Sequence, residues 1–424
     1  MKKNVLIAQS GGPSAVINSS LQGAIEHIKK HDNLFDRIYA GWHGVEGILK
    51  EELLDISAQP EDEIKLLRTT PAAGTIGTCR YKLIDENHAD FERIIEVFKS
   101  HNIGYFFYIG GNDSMDTAHK ISNLAKEKSY DLIVTGIPKT IDNDIGTFDL
   151  IDHTPGYGSC AKYWAHYMQC VNEENLGSSP CDPIIVIQAM GRKIGFIAAA
   201  TRLFDLKRQT PLQIYLAEKK LTLPELADKV NDQLKQDGRV MVIVNEGMDI
   251  TDIGEAHDAF GHVEFSASKT TVAQEVTNYL NKVGLATRGM ARCQNPGCDQ
   301  RNSIIFASTV DLDEAYELGA TAVEIAASSK TGYMSTILRE KDSTYKIRYD
   351  KVPLDLVANS EKLFPENWIT KNKIDVTDDF VNYAQPLLGN DFVSVPLYGG
   401  LIRFAKFKPI FAEKKLKDYT PMAY

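Results

Sequence analysis

The sequence predicts an α/β protein with two doubly wound, Rossmann-like parallel-sheet domains. Short apolar runs recur along the chain, most end in a turn of glycine or polar residues, and helical periodicity follows several of these turns. Strands that alternate with helices are typical of parallel sheets covered by helices on both faces. Because no Pro/Gly/Ser linker divides the chain, the two domains are expected to exchange segments rather than lie in series.

The predicted strands follow one another in a regular order. The first apolar run, residues 4–8, leads into a glycine turn and then into apolar residues at helical spacing from Ala15 to Ile28. Four later apolar runs repeat the start of this pattern, at residues 103–109, 132–137, 183–189 and 240–244. A helix from Met115 follows the first of these runs, and a turn at Pro138 follows the second. Ligands of such sheets bind at the carboxyl ends of the strands, where these polar turns lie.

Composition excludes several classes of function. The chain has 424 residues, of which 43% are apolar, so it can form a large core and two domains. A formal charge of −10 argues against a nucleic-acid or membrane-surface partner, so small anionic substrates must meet local positive charge. The six cysteines lack metal-ligand pairing and are predicted to be reduced thiols. No apolar run has the length of a signal peptide or membrane span, which predicts a cytoplasmic protein.

The polar turns carry the residues that phosphoryl transfer to a hydroxyl needs: cations, a base and a metal ligand. Gly11 and Gly12, after the first strand, allow a phosphate to approach backbone N–H groups. The turn at residues 110–114 adds Asp113, which can hold a magnesium ion that also touches phosphate. Helix capping by the polar side chains of this turn is the alternative interpretation.

The turn at residues 140–144 places two carboxylates two positions apart. In an extended segment Asp142 and Asp144 point to one side while Ile141 points to the other. Asp142 is the predicted base for the attacking hydroxyl, and Asp144 assists either that base or the metal. The alternative is a pair of Asx turns that only shape the loop.

Cations and a second set of turns complete the candidate site. Lys139 precedes the carboxylate pair and Arg80 ends a glycine-bearing run, so both are candidates to meet phosphate oxygens. The turns at residues 190–192 and 245–247 each follow a strand and offer a guanidinium and a carboxylate to an acceptor. For any one of these charged residues, a role in surface salt bridging or plain solvation is the alternative.

These motifs, in this order from Gln9 to about Arg301, resemble those of the phosphofructokinase family. The resemblance implies that the Thr-Ile-Asp-Asn-Asp stretch carries the base, which is Asp142, with Lys139, Asp113, Asp144 and Arg192 also in the catalytic set. It implies that pyrophosphate binds Gly12, Arg80, Asn112 and Lys139, and that Asp113 holds Mg²⁺. The sugar phosphate would bind Thr140, Ile141, Asp142, Met190, Gly191, Arg192, Glu246, Arg292 and Arg301.

Two positions of the family sort its members by phosphoryl donor. Where ATP-using members have glycine, pyrophosphate-using members have an aspartate and a lysine, and this chain has Asp113 and Lys139. A carboxylate at position 113 also fills the space that the rest of a nucleotide needs. At about 4 Å and an effective dielectric near 20, two unit charges repel by roughly 4 kcal/mol.

The resemblance therefore implies a Mg²⁺-dependent, near-reversible transfer from pyrophosphate to the 1-hydroxyl of fructose 6-phosphate, in a homodimer or homotetramer. A donor domain is expected at residues 1–152 plus about 300–345, and a sugar-phosphate domain at 153–299 plus about 346–424. The alternatives are an ATP-dependent kinase, a kinase of another ketose phosphate such as sedoheptulose 7-phosphate, a non-catalytic regulatory subunit and, last, a nicotinamide dehydrogenase.

Two features depart from the family pattern. Residues 178–183 contain no cation where relatives place an arginine that clamps the 6-phosphate from a neighbouring subunit. The Tyr-x-x-Arg motif of pyrophosphate-using relatives is reduced to Arg292, preceded by Gly289. Both departures concern the acceptor rather than the donor.

Overall fold

A computed structural model describes residues 2–81, 83, 88–250, 270–341, 344–358 and 360–422. The strands are β1 Lys3–Gln9, β2 Phe35–Gly41, β3 Leu53–Asp55, β4 Ile103–Gly110, β5 Ile133–Pro138, β6 Ile184–Ala189, β7 Leu212–Tyr215, β8 Val240–Asn245, β9 Ala291–Gln294, β10 Tyr333–Arg339, β11 Ile347–Pro353, β12 Leu397–Tyr398 and β13 Leu401–Ile402. The helices are α1 Ile17–Lys30, α2 Val45–Leu49, α3 Glu61–Lys65, α4 His88–Ser100, α5 Asn112–Glu127, α6 Tyr157–Ser178, α7 Phe196–Ala200, α8 Leu223–Asp237, α9 Val272–Val283, α10 Asp299–Asn302, α11 Thr309–Ala327, α12 Leu354–Val357 and α13 Asp378–Ala384.

The chain forms two compact units, each built from separated segments. The first unit contains residues 1–156, 307–362 and 391–424, and the second contains residues 157–306 and 363–390. Each unit has its own sheet with helices packed on it, so the α/β prediction is confirmed. Among the described residues, no helix has the length and apolarity to cross a membrane.

The first unit has a seven-stranded sheet in the order β11-β10-β5-β4-β1-β2-β3. Strands β10, β5, β4, β1 and β2 run parallel, and antiparallel β11 and β3 form the two edges. Alternate residues of β1 face opposite cores: Leu6 packs in one apolar cluster, and Val5 and Ile7 in the other. The chain leaves β1 towards β2 on one side, while β4 lies on the other, so the crevice between β1 and β4 is a topological switch point.

The C-terminal segment, residues 391–424, packs on the first unit, whereas the sequence-based boundaries put it with the second. Asp55 N donates to Ile410 O at 2.7 Å, and Ala412 N donates to Leu53 O at 2.8 Å. The buried carboxylate of Glu51 accepts hydrogen bonds from the backbone N–H of Lys415 and of the residue after it. These contacts join residues more than 300 positions apart, which local patterns cannot indicate.

The second unit has a four-stranded parallel sheet in the order β7-β8-β6-β9. Strands β6 and β8 are adjacent, with Ala189 opposite Asn245 at their carboxyl ends. Both strands are buried along their full length, as expected for parallel strands covered on two faces. The turns that follow them, at residues 190–192 and 245–247, therefore start side by side.

The five strands predicted from apolar runs are all present, with ends within one or two residues of the predicted ones. The helices differ more at their starts. Helix α5 begins at Asn112 instead of Met115, and α1 begins at Ile17, so Gly11 and Gly12 lie in a loop before the helix rather than at its first turn.

Candidate functional site

In the first unit, the glycine turn after β1 and the lysine after β5 are in direct contact. The Nζ atom of Lys139 donates to Gly12 O at 2.7 Å, and the lysine is only 3% exposed. Lys139 N donates to Gly110 O at 2.9 Å, which links it to the turn after β4. The predicted cation is therefore held among the two glycine turns at the carboxyl edge of the sheet.

The run that ends in Arg80 joins the same edge. Gly11 N donates to Cys79 O at 3.0 Å, and Thr78 Oγ1 donates to Gly11 O at 3.0 Å. Gly11 has a φ of +78°, in the left-handed region that suits glycine. Arg80 is partly exposed, and it directly follows the two residues that are hydrogen-bonded to the first glycine turn.

The turn after β4 opens α5 with a glycine at the N-cap. Because Gly111 occupies this position, none of the polar residues of the turn that the capping interpretation invoked is the N-cap residue. Asp113 lies in the first turn, where the helix dipole favours a carboxylate. Gly110 cannot carry a side chain, since a Cβ atom there would lie 2.0 Å from Ser114 Oγ.

The side-chain amide of Asn112 leaves its oxygen without a hydrogen-bond partner. Its Oδ1 atom is buried with no hydrogen-bond partner, while its Nδ2 atom donates to Asp144 O at 3.4 Å. A buried, unpaired amide oxygen costs free energy unless a ligand satisfies it. Because an amide oxygen is only an acceptor, the Oδ1 atom of Asn112 suits a cation better than a phosphate.

Tyr108, near the end of β4, is 1% exposed. Burial raises the pKa of its hydroxyl strongly, and the negative charge of Asp113 acts in the same direction. The Tyr108 side chain is also hydrogen-bonded to Ser10. It therefore stays neutral at physiological pH and adds no charge of its own.

The segment 140–144 is not extended, contrary to the prediction. Asn143 has a φ of +59°, so the chain turns between the two carboxylates, which do not line one face of a strand. Asp142 stays partly exposed whereas Asp144 is 9% exposed. The two carboxylates therefore lie in different environments, which separates a solvent-accessible candidate base from a more buried partner.

Hydrogen bonds fix the shape of this loop. Asp142 N donates to Thr140 Oγ1 at 3.1 Å, and Asn143 Oδ1 accepts from Thr154 N at 3.0 Å. Thr154 Oγ1 in turn donates to Thr140 O at 2.9 Å. Asn is among the residues that tolerate the left-handed conformation best, which was a signal in the sequence. These bonds fix the loop backbone and therefore the direction in which the Asp142 side chain points.

A buried charged cluster lies next to Thr154. His153 is 1% exposed and donates to Asp152 at 2.8 Å and to Glu314 at 2.6 Å. Arg339 also donates to Asp152, at 2.9 Å, and Tyr345 donates to Glu314. Burial alone would lower the pKa of His153, but the carboxylates of Glu314 and Asp152 outweigh it and raise the pKa to about 9.

We expect thermal stability to fall as the pH rises from about 6.5 to 9. The pKa of His153 is about 9 in the folded protein and 6.5 in the ordinary side chain, so its stabilisation is complete below the lower value and is lost through the higher one. A shift of this size corresponds to about 3 kcal/mol. Melting curves of the wild type and of His153→Gln across this pH range test this, because the melting temperature of the variant should decline less steeply with pH. Equal declines would contradict the assignment.

In the second unit, Glu246 joins the two turns that follow β6 and β8. Its Oε1 atom accepts from Gly191 N at 3.1 Å and from Arg192 N at 2.9 Å. The turns approach so closely that a Cβ atom on Gly247 would lie 2.0 Å from Arg192 O. Met190, Gly191, Arg192 and Glu246 are thus one structural group, as the sequence predicted for neighbouring turns.

The structure places the two predicted phosphate-binding arginines differently. Arg301 lies on α10 beside Gln300, whose Oε1 accepts from Met190 N at 2.9 Å, and the Nε atom of Arg301 is buried without a partner. Arg292 is opposite Ile185, near the start of β6, and donates to Asp182 at 2.9 Å. Within this unit, therefore, Arg301 is near the turn and Arg292 is not.

Sequence reasoning missed Gln300, which accepts from both Met190 N and the Trp164 indole N–H. No motif marks it, because its partners lie more than 100 positions away. Nowhere in the described part of the chain does a group of three or more His, Cys, Asp or Glu side chains have an arrangement that could hold a metal ion. A metal at Asp113 would thus depend on few protein ligands.

Residues 4–326 match the family described as Phosphofructokinase. The chain is 36% identical to the Pyrophosphate--fructose 6-phosphate 1-phosphotransferase of Halomonas elongata, over 98% of this chain and 99% of the relative. It is 35% identical to the enzyme of the same name from Methylococcus capsulatus, over 98% of each chain. A crystal structure titled pyrophosphate-dependent phosphofructokinase from Nitrosospira multiformis superposes with a TM-score of 0.89 at 36% identity, covering 99% of this chain and 100% of that one. The chain therefore belongs to the phosphofructokinase family of phosphotransferases, as its motifs predicted.

Proposed function

We propose that this protein transfers a phosphoryl group from pyrophosphate to the 1-hydroxyl of fructose 6-phosphate, yielding fructose 1,6-bisphosphate and phosphate. The observation that carries the proposal is the buried Lys139, whose Nζ atom lies 2.7 Å from Gly12 O at the turns that also hold Asp113. A fixed cation there suits a donor made of two phosphates. The names of the relatives that align over nearly the whole chain support the same donor and acceptor.

The residues proposed to bind the donor belong to the first unit. Gly12, Arg80 and Lys139 bind pyrophosphate through a backbone turn and two cations. Asp142 accepts the proton of the attacking hydroxyl, because it is the more exposed of the two carboxylates of its loop. Asp144 supports that base, and Thr140 and Ile141 contact the acceptor.

The residues of the donor turn fit a divalent metal ion. Asp113 provides a carboxylate, and Asn112 adds a buried oxygen that lacks a protein partner. Mg²⁺ prefers oxygen ligands and commonly uses one or two protein groups together with substrate phosphates. When bound, the ion supplies neutralisation of phosphate charge. We therefore assign Asn112 to the metal in addition to its predicted place at pyrophosphate.

Most of the residues proposed to bind the acceptor belong to the second unit. Met190, Gly191, Arg192 and Glu246 grip the sugar phosphate, and Arg301 adds a cation with an unsatisfied Nε atom. Arg292 can serve only if another chain or a movement brings it to the sugar phosphate, because within its own unit it pairs with Asp182. This agrees with the proposed homodimer or homotetramer, in which a neighbour supplies part of the phosphate grip.

Two finer properties belong to the same proposal. The reaction is near reversible, since cleavage of pyrophosphate and formation of a sugar phosphate ester involve comparable free energies. The six cysteines all lie in the described part of the chain and form no disulfide bond there, and reduced thiols suit the cytoplasm.

Initial rates decide the donor and the acceptor together. Purified protein should be assayed with Mg²⁺ and either pyrophosphate or ATP, against fructose 6-phosphate and sedoheptulose 7-phosphate. We expect kcat/KM for pyrophosphate to exceed that for ATP by about a thousandfold, as the charge repulsion at position 113 implies. A higher value with ATP would refute the donor assignment, and a higher value with the seven-carbon sugar would refute the acceptor assignment.

A further inference from the structure

A short segment that follows β11 and α12 holds the loop that continues from the candidate base. Residues 360 and 362 bond to both ends of loop 144–152, which starts at the second carboxylate of the catalytic turn. The bonds are Gly146 N to Ser360 Oγ at 2.9 Å, Lys362 N to Asp144 O at 2.8 Å, and Lys362 Nζ to Ile151 O at 2.7 Å and to Asp152 O at 2.9 Å.

The Lys362 side chain is an unusual choice for a buried position. It is 2% exposed, and its ammonium group bonds to two neutral carbonyls and lies 4.8 Å from the centre of the Phe148 ring. Burial lowers its pKa to about 7, with Arg339 acting in the same direction, and Asp152 and Asp144 opposing it. Burying such a group costs free energy that an apolar side chain of equal length would avoid.

The backbone carbonyl of Asp144 also connects to the donor turn. Asp144 O accepts from Lys362 N at 2.8 Å and from Asn112 Nδ2 at 3.4 Å. One backbone atom therefore joins the proposed metal turn, the catalytic loop and the segment that contains Lys362. A displacement of this atom would shift the candidate base and the donor turn together.

We propose that Lys362, assisted by Ser360, is a positioning residue that fixes loop 144–152 and thereby aligns Asp142 and Asp144 for phosphoryl transfer. The inference rests on the proposed function, and it adds residues that lie more than 200 positions from the loop they hold. Misplacement of reacting groups by about 1 Å can cost about a hundredfold in rate. The hydrogen bonds of Ser360 and Lys362 to loop 144–152 are called the brace. Loss of the brace should therefore reduce turnover without removing any group that contacts substrate.

Lys362→Met tests the proposal, because methionine keeps the length of the chain and removes the ammonium group. We expect kcat to fall at least about tenfold while both KM values change less than about threefold, since binding groups stay in place. The melting temperature should change little, because the cost of burying the charge disappears while the carbonyls of Ile151 and Asp152 lose their donor. Hydrogen exchange without substrate should become faster in loop 144–152 alone.

Two further variants make the result decisive. Ser360→Ala removes the acceptor for Gly146 N and should give the same local exchange effect with a smaller loss of kcat. Lys351→Met is the matched control, since Lys351 also lies over a ring, 5.8 Å from the centre of Tyr333, and should leave kcat and exchange unchanged. If Lys362→Met does not fold, Ser360→Ala decides alone.

Unchanged exchange in loop 144–152 would overturn the proposal. Exchange raised throughout the first unit together with a lower melting temperature would also overturn it, because the effect would then be general destabilisation. If the wild type fails to use pyrophosphate, the proposed function is wrong. The exchange experiment still tests the brace in that case, since it needs no substrate.

Discussion

Asp142→Asn should lower kcat by about 10²- to 10⁴-fold, the range that a positioned general base contributes. Asparagine keeps the size of the side chain but cannot accept the proton of the attacking hydroxyl. The backbone of the loop should keep its shape, because Asp142 N bonds to Thr140 Oγ1 at 3.1 Å and that bond does not involve the carboxylate. Steady-state kinetics with pyrophosphate and fructose 6-phosphate measure the effect.

Asp149→Asn is the matched control for this substitution. Asp149 is an exposed carboxylate in loop 144–152, which follows the turn of Asp142, and its replacement should leave kcat within about a factor of two, as usual for solvated surface positions. Calorimetric titration should show that Asp142→Asn still binds fructose 6-phosphate. If the Asp142 variant kept more than a tenth of wild-type turnover, another group would have to be the base. A wild type that binds both substrates without turnover would instead indicate a regulatory subunit.

The strands and their turns could be predicted from the sequence because their signals are local. Apolar runs ending in glycine or polar residues locate β1, β4, β5, β6 and β8. In parallel sheets the carboxyl ends of strands meet at one edge, so the turns of Lys139 and Gly12 were expected on the same edge, although β4 lies between β5 and β1. Glu246 and the Met190 turn come together for the same reason.

The features that escaped prediction depend on contacts between distant parts of the chain. The left-handed Asn143 is stabilised by Thr154, and an extended segment was the simpler expectation from the Asp-Asn-Asp pattern. The attachment of residues 391–424 to the first unit depends on backbone hydrogen bonds to β3. No sequence pattern around Lys362 predicts its burial, because lysines are mostly exposed and its partners lie more than 200 positions away in the chain.

Replacing both donor-selecting residues, Asp113→Gly with Lys139→Gly, should change the preferred phosphoryl donor. Removal of the Asp113 carboxylate relieves a repulsion of roughly 4 kcal/mol, nearly a thousandfold, against a nucleotide that passes within about 4 Å. Removal of Lys139 takes away the buried ammonium group at 2.7 Å from Gly12 O, which we propose to bind the leaving phosphate. The ratio of kcat/KM for pyrophosphate to that for ATP should therefore fall by at least about 10³-fold.

The single variants separate the two causes of this donor preference. Asp113→Asn keeps the volume of the side chain and removes its charge, so a gain of ATP use in this variant assigns the preference to repulsion. A gain only with Asp113→Gly assigns it to space. Lys139→Gly alone should lose pyrophosphate use without gaining ATP use, because the carboxylate still opposes the nucleotide. If the double variant kept the wild-type ratio, neither charge nor volume at these two positions would select the donor, and the selection would have to lie elsewhere in the fold.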